Sequence, residues 1–266
     1  MPEMFEALNK LGQPTDRLGT PSRPSELALK LRDYFTYRAH VLNGQVESDL
    51  MTADEASEAF EKVKGNVGAV PTGVPVLNTS GNESAVEYFI NDSTVRVPLN
   101  KQKDDKKREA YLTGIVNLIV AQVLSGLPCD YDPRRMPTVD SDGRLYQTFS
   151  RRLDGSFPST HNPIAMWEIK EYYYTTTFGS KISDAVYITS LDGYERQELE
   201  QGAGIQIRHL VMVDAYETWW GKGKSYLCRM VDILHMGHVD DVLFGREVVR
   251  ELPTLVDEWV SLYRQL

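Results

Sequence analysis

The sequence predicts an α/β (α+β) fold: a central mixed sheet flanked by helices, carrying a helical N-terminal elaboration. Three observations predict it. The second half of the chain is patterned in the order helix, strand, strand, helix, strand, over 104–126, 145–153, 164–174, 183–201 and 205–218. The 164–174 stretch is apolar on both of its alternating faces, as a strand covered on both sides must be. With 266 residues, 41% of them hydrophobic, the chain can bury a full core, as one large domain or as one domain with a sizeable elaboration. The expected division is 1–97, helices and a hairpin, followed by 98–266, the sheet core with its C-terminal helices.

Residues 1–24 carry Pro2, Pro14, Pro21 and Pro24 without sustained periodicity, and an arm with little regular structure is expected. From Ser25 onward, Leu27, Leu29, Leu31, Tyr34 and Phe35 predict a helix of about four turns. Thr52 and Glu55 have the spacing of a capping box, so a second helix should start there, run to about Lys64 and stop at Gly65-Asn66. Phe60 and Val63 would pack it on the first. Between 65 and 82 the breakers Gly68, Pro71, Gly73, Pro75 and Gly81 predict a loop. No Gly-Lys-Ser/Thr follows it, which excludes a P-loop ATPase. The runs 85–90 and 94–97, joined by Asn91-Asp92-Ser93, predict a hairpin.

The clearest helical signal is 104–126, opened by Asp104-Asp105, spaced by Ala110, Tyr111, Ile115, Leu118, Ile119 and Val123, and ended by Gly126. The 128–143 stretch is polar and turn-rich. A strand over 145–153 then places Tyr146, Thr148, Ser150, Arg152 and Asp154 on its polar face. A helix over 183–201, weakened at Gly193, leads to a buried strand centred on Leu210-Val211-Met212-Val213. After a turn at 219–224, Leu252, Leu255, Val256, Trp259, Val260 and Tyr263 mark an amphipathic C-terminal helix, suited to the core or to a dimer surface.

The formal net charge of −9 weighs against nucleic-acid binding, which needs local Lys and Arg at phosphates. Basic residues are nevertheless clustered: Lys101, Lys103, Lys106, Lys107 and Arg108, then Arg134 and Arg135, then Arg151 and Arg152. A patch matters more than the sum. No apolar run is long enough to cross a bilayer, and Met1-Pro2-Glu3-Met4 lacks a basic-then-apolar leader, so a cytoplasmic location and no membrane partner are expected. Two cysteines, Cys129 and Cys228, are too few for a disulfide framework and read as buried thiols. His235 and His238 have ligand-type spacing for zinc, but Gly237 interrupts the helix that would align them.

Chemistry concentrates at one place. In a strand over 164–174, Ile164, Met166, Glu168, Lys170 and Tyr172 share one face, and Ala165, Trp167, Ile169 and Glu171 the other. Glu168 and Lys170 thus stand side by side in an apolar strand, where either alone would be costly to bury. Asp154 lies fourteen residues earlier, before Gly155, and a strand, a turn and a second strand can bring it beside Glu168. Two carboxylates and one ammonium at a point suit metal-assisted phosphodiester hydrolysis. A plainer alternative makes Glu168 and Lys170 a surface salt bridge and Asp154-Gly155 only a hairpin turn.

Asp154 together with Glu168-Ile169-Lys170 resembles the PD-(D/E)XK nuclease superfamily, of restriction-endonuclease-like fold, over roughly residues 105–235. Leu153 stands where the family often has proline. The resemblance implies an Mg2+-dependent endonuclease acting on DNA, with Mn2+ able to substitute, in bacterial defence as a restriction enzyme or a phage-defence effector. Asp154 and Glu168 would bind the metal, and Lys170 would position or deprotonate the attacking water or offset charge on the phosphorane. A helix before the catalytic strands often adds a carboxylate, for which Glu109 is the candidate. Asp130, Asp132, Asp140 or Asp142 are alternatives to Asp154. Arg151, Arg152, Lys181, Trp220, Lys222 and Lys224 are the candidate nucleic-acid contacts. Cutting both strands implies a homodimer or larger assembly. The alternative function is a non-catalytic DNA-binding or assembly module of a defence complex, meeting a protein partner through its acidic surface.

Overall fold

A computed structural model describes residues 26–67, 73–102, 105–141, 143–174 and 179–266. The arm expected over 1–24, Lys103, Asp104, Asp142 and the turn at 175–178 lie outside them. The chain forms two compact units, Met1–Ser48 and Asp49–Leu266. The boundary expected at 97/98 falls within a strand, because the hairpin before it belongs to the same core as the helix after it.

The first unit holds α1, Glu26–Val41, extended without a break by a π-helical turn, Leu42–Val46, and a last short turn, Glu47–Asp49, that crosses the boundary. Leu42 and Val46 are its buried anchors, and the Arg38 guanidinium lies 4.6 Å from the centre of the Phe35 ring.

The second unit opens with α2, Ala53–Asn66. Its capping box is formed: the Glu55 amide donates to Thr52 Oγ1 and the Thr52 amide donates to Glu55 Oε2. Phe60 and Val63 join the main core, with the Phe60 ring 6.1 Å from that of Tyr111. A four-stranded antiparallel sheet follows, in the order β1 (Val74–Leu77), β2 (Glu83–Ile90), β3 (Ser93–Gln102), β4 (Asp105–Glu109). The β2–β3 hairpin is the expected one, and Asn91 and Asp92 both take positive φ at its turn, the geometry that matches strand twist. Two expectations are corrected here. Val74–Leu77 is a strand rather than loop, because β2 offers it a backbone edge that outweighs Pro75. Asp105–Glu109 is a strand paired with β3, not the first turns of a helix.

The helix itself, α3, is Tyr111–Leu124, and nearly every residue in it is buried. It stops where Ser125 turns left-handed at φ 47° and returns its amide to Ala121. A helix apolar all round must lie inside, and α3 packs on β3, on α2 and on the C-terminal helix α6, Arg246–Tyr263.

The central sheet has five strands in the order β11, β10, β9, β8, β5. In chain order these are β5 (Asp130–Tyr131), β8 (Gly155–Phe157), β9 (Ala165–Glu171), β10 (Arg208–Asp214) and β11 (Asp241–Phe244). Strands β9, β10 and β11 run parallel, and β8 is antiparallel both to β9 and to β5, so the sheet is mixed. A separate ribbon, β6 (Thr138–Ser141) with β7 (Arg144–Thr148), precedes β8. The strand expected over 145–153 therefore ends at Thr148, and Asp154 leads into β8 rather than closing β7. Helix α4, Ser180–Ala203, connects β9 to β10 and runs through Gly193 unbroken. Helix α5, Lys224–His235, connects β10 to β11.

Strand β9 is central, as its two apolar faces require. Ala165, Trp167 and Ile169 join α3 and α6 in the main core, where the Trp167 ring stacks on Trp259 at 5.7 Å and 15°. Met166 turns the other way, into a second cluster with Phe149, Leu153, Leu199 and Ile207. Gly155 pairs with Trp167, and a Cβ at 155 would overlap the indole. That close approach fixes the register that carries Asp154 to Glu168. Among the described residues, no helix is long and apolar enough to cross a membrane.

Candidate functional site

Register brings the predicted residues together. Asp154 stands one residue before β8; its amide donates to the Trp167 carbonyl at 3.1 Å, and its own carbonyl accepts from the Asp132 amide at 3.0 Å. Its Oδ2 accepts the Ile169 amide at 2.7 Å, so the aspartate straddles the position of Glu168 on β9. Glu168 is buried. Its Oε1 accepts the Lys170 ammonium and its Oε2 accepts Arg151 Nη1 at 2.9 Å, which places Glu168 and Lys170 on one face of β9 as the alternation predicts.

A residue not anticipated completes the cluster. Asp192, on α4 and 1% exposed, receives Arg151 Nε at 2.8 Å on Oδ1 and Arg151 Nη2 on Oδ2. A signal for it exists: Asp192 is seven residues from both Ala185 and Leu199, two buried positions of α4, so it occupies the helix's core-facing stripe. Arg151 thus spans Glu168 and Asp192, and it is not a free phosphate contact.

Three carboxylates, Asp154, Glu168 and Asp192, face two cations, Lys170 and Arg151. Burial, reinforced by the charge on Glu168, pushes the Asp154 carboxyl up to about 7. Burial pushes Asp192 up to about 6 against the opposing pull of Arg151. Burial alone would lower the Arg151 guanidinium, but Asp192 and Glu168 together hold it above its ordinary value. With every group ionised the cluster keeps one net negative charge. Beneath it, Trp219 is fully buried and its Nε1 donates to the Lys170 carbonyl at 3.3 Å.

The remaining predicted residues are not drawn into this cluster. Glu109 ends β4 rather than sitting in a helix, and its carboxylate accepts from the Tyr88 hydroxyl. The carboxylate that does meet α3 is Glu171, which accepts the Thr113 amide at 3.0 Å and Asn100 Nδ2 at 2.7 Å. Arg152 and Lys181 are exposed. Trp220 and Lys222 lie on a π-helical segment, Glu217–Lys222, instead of a turn, and Lys224 begins α5 with its ammonium 3.4 Å from the Trp220 ring centre. That cation covers one face of the Trp220 indole.

The loop aspartates serve elsewhere: Asp130 accepts the Thr160 amide at 2.8 Å, and Asp132 pairs with Arg134 at 3.0 Å and Arg96 at 3.5 Å. Asp140 lies 3.8 Å from His161. His238 is buried against Tyr194 rather than poised with His235 for zinc. Cys129 and Cys228 are not joined in a disulfide among the described residues, and both are partly buried.

For a divalent metal, Asp154 is engaged among the described residues only through Oδ2, which leaves Oδ1 without a hydrogen-bond partner as a hard oxygen ligand beside Glu168. The excess negative charge also fits a cation. Against this, among the described residues no three His, Cys, Asp or Glu side chains are gathered to hold a metal ion.

No curated protein and no solved structure matches the chain. Residues 1–45 match the model of a family described as domain of unknown function DUF7690. Residues 51–259, which include the whole cluster, match that of domain of unknown function DUF7687, and the chain belongs to this family.

Proposed function

We propose that the chain is an Mg2+-dependent endonuclease that hydrolyses DNA phosphodiester bonds, of the PD-(D/E)XK type, acting in bacterial defence in the cytoplasm. The observation that carries this reading is the meeting of Asp154, Glu168 and Lys170 across the β8–β9 pair. The order of α3, β5, β8, β9, α4 and β10, with β8 antiparallel and β10 parallel to β9, supports it as a scaffold. Asp154, through Oδ1, and Glu168 would hold Mg2+ or Mn2+. Bound there, the ion supplies Lewis-acid polarisation of a phosphoryl oxygen. Lys170 sets its ammonium beside the Glu168 carboxylate, where it would face a phosphate, and Arg151 locks Glu168 to α4 through Asp192, so the carboxylate does not wander. Arg152, Lys181, Lys222 and Lys224 supply exposed positive charge for the backbone.

A second reading, a non-catalytic DNA-binding or assembly module serving a protein partner, is favoured by one observation: Lys170 and Arg151 already satisfy both oxygens of Glu168. Plasmid nicking separates the two. Purified protein should nick with Mg2+ and not with EDTA, and Lys170→Ala should abolish nicking. Absence of nicking with either metal rejects the enzyme, and full activity in Lys170→Ala rejects the site. Double-strand cleavage further requires a dimer or larger assembly, which light scattering with DNA present should register.

A further inference from the structure

Two Arg-Arg pairs line a cavity of about 840 Å3 that neither reading uses in full. Arg134 and Arg135 come from the loop between β5 and β6, and Arg151 and Arg152 from the segment between β7 and β8. In each pair one member is tied down, Arg134 to Asp132 at 3.0 Å and Arg151 to Glu168 and Asp192. The other two, Arg135 and Arg152, are exposed, and their guanidinium groups make no hydrogen bond or ion pair among the described residues. Unpaired guanidinium groups at one opening repel each other, and an anion between them removes the repulsion. Guanidinium groups match phosphate oxygens two at a time.

The cavity is much larger than a phosphate needs and falls in the size class of small-molecule sites. Met136, 45% exposed, gives it an apolar wall, and thioether sulfur packs well against flat rings. His161 also lines it.

We infer that this cavity seats a single nucleotide, its phosphate between Arg135 and Arg152 and its base against Met136. The ligand is a nucleoside monophosphate unit, whether free or at the phosphorylated end of a strand. Arg151 both lines the cavity and holds Glu168, so an occupied seat adjoins the carboxylate cluster. That link to cleavage rests on the nuclease reading; the seat itself does not.

Calorimetric titration of the full chain in EDTA tests it, with dAMP, inorganic phosphate, and a short oligonucleotide with or without a 5′-phosphate. Saturable dAMP binding is expected, tighter than that of inorganic phosphate. Arg135→Ala with Arg152→Ala should weaken it roughly tenfold or more, while the melting curve stays unchanged because both side chains are exposed and unpartnered. Arg135→Lys with Arg152→Lys should lose less. Displacement of dAMP only by the 5′-phosphorylated oligonucleotide assigns the seat to a strand end, and no displacement by either assigns it to a free nucleotide. Unchanged dAMP affinity in the double alanine variant overturns the inference, as does inorganic phosphate binding as tightly as dAMP. Lys170→Ala should bind dAMP like the wild type, so a failed cleavage test leaves this result standing.

Discussion

Glu168→Ala takes away the one carboxylate that meets both cations of the cluster. Lys170 is 6% exposed, and its ammonium has no other acceptor among the described residues. Stripping one partner from a buried pair costs about 3–5 kcal/mol, because the remaining charge is left without compensation. Arg151 keeps its two-point grip on Asp192, which places the loss at the lower end. The charge on Glu168 also pushes Asp154 up, and removing it returns about 1 kcal/mol. A net destabilisation of about 2 kcal/mol is therefore expected. Charge repulsion alone gives the opposite sign: a variant at least as stable as wild type. Urea unfolding in EDTA at neutral pH reads the difference as a lowered midpoint with unchanged slope. Glu168→Leu combined with Lys170→Met should recover most of the loss, since an apolar pair needs no compensation. A wild-type midpoint for Glu168→Ala, or a double variant less stable than the single one, would show that Glu168 does not compensate a buried Lys170 charge.

Asp214, fully buried with Oδ1 accepting the Met51 and Ala215 amides, is pushed by burial from 3.8 up to about 7. The folded state then holds this proton more tightly than the unfolded chain, so its contribution to stability is complete below pH 3.8 and is lost as pH rises through 7. Asp214→Asn should remove that slope, so the variant gains on wild type by about 4 kcal/mol between acidic and mildly alkaline buffer; parallel pH curves would rule this out. Gly155→Ala drives a methyl into the Trp167 ring and should cost about 3 kcal/mol by thermal or urea unfolding. A cost below about 0.5 kcal/mol would mean that the strand pair yields easily. On the nuclease reading, Mg2+ should raise the wild-type melting temperature by about 5 °C at saturation and leave Asp154→Ala unmoved, whereas an equal response in both proteins removes Asp154 from the metal.

Much of the centre is legible in sequence because it is governed by short-range rules. Alternation alone puts Glu168 with Lys170 and Trp167 with Ala165, and spacing alone marks Thr52 and Glu55 as a reciprocal cap. What sequence does not carry is pairing at a distance. Asp105–Glu109 is a charged run beside a strong helix and borrows its pattern, and only the free edge of β3 makes it a strand. Asp192 is an acid in an amphipathic helix until Arg151, 41 residues away, reaches it. Glu109 pairs with Tyr88 and Glu171 meets α3 for the same reason, since which carboxylate reaches that helix depends on how the two sheets are placed around it.

The seam between the two family matches, residues 45 to 51, has a consequence for how such chains are assembled and recombined. Asp49 forms a two-pronged pair with Arg250, Arg246 donates to the Leu50 carbonyl at 3.2 Å, and Met51 is clasped by the Asp214 carboxylate on one side and the Tyr216 amide on the other. The core therefore grips its own entry strap ahead of Thr52, independently of what precedes Ser48. A graft of a different leading module that keeps Asp49 onward inherits that clasp intact, whereas a cut placed at the edge of the matched region, at residue 51, discards two of its fastenings.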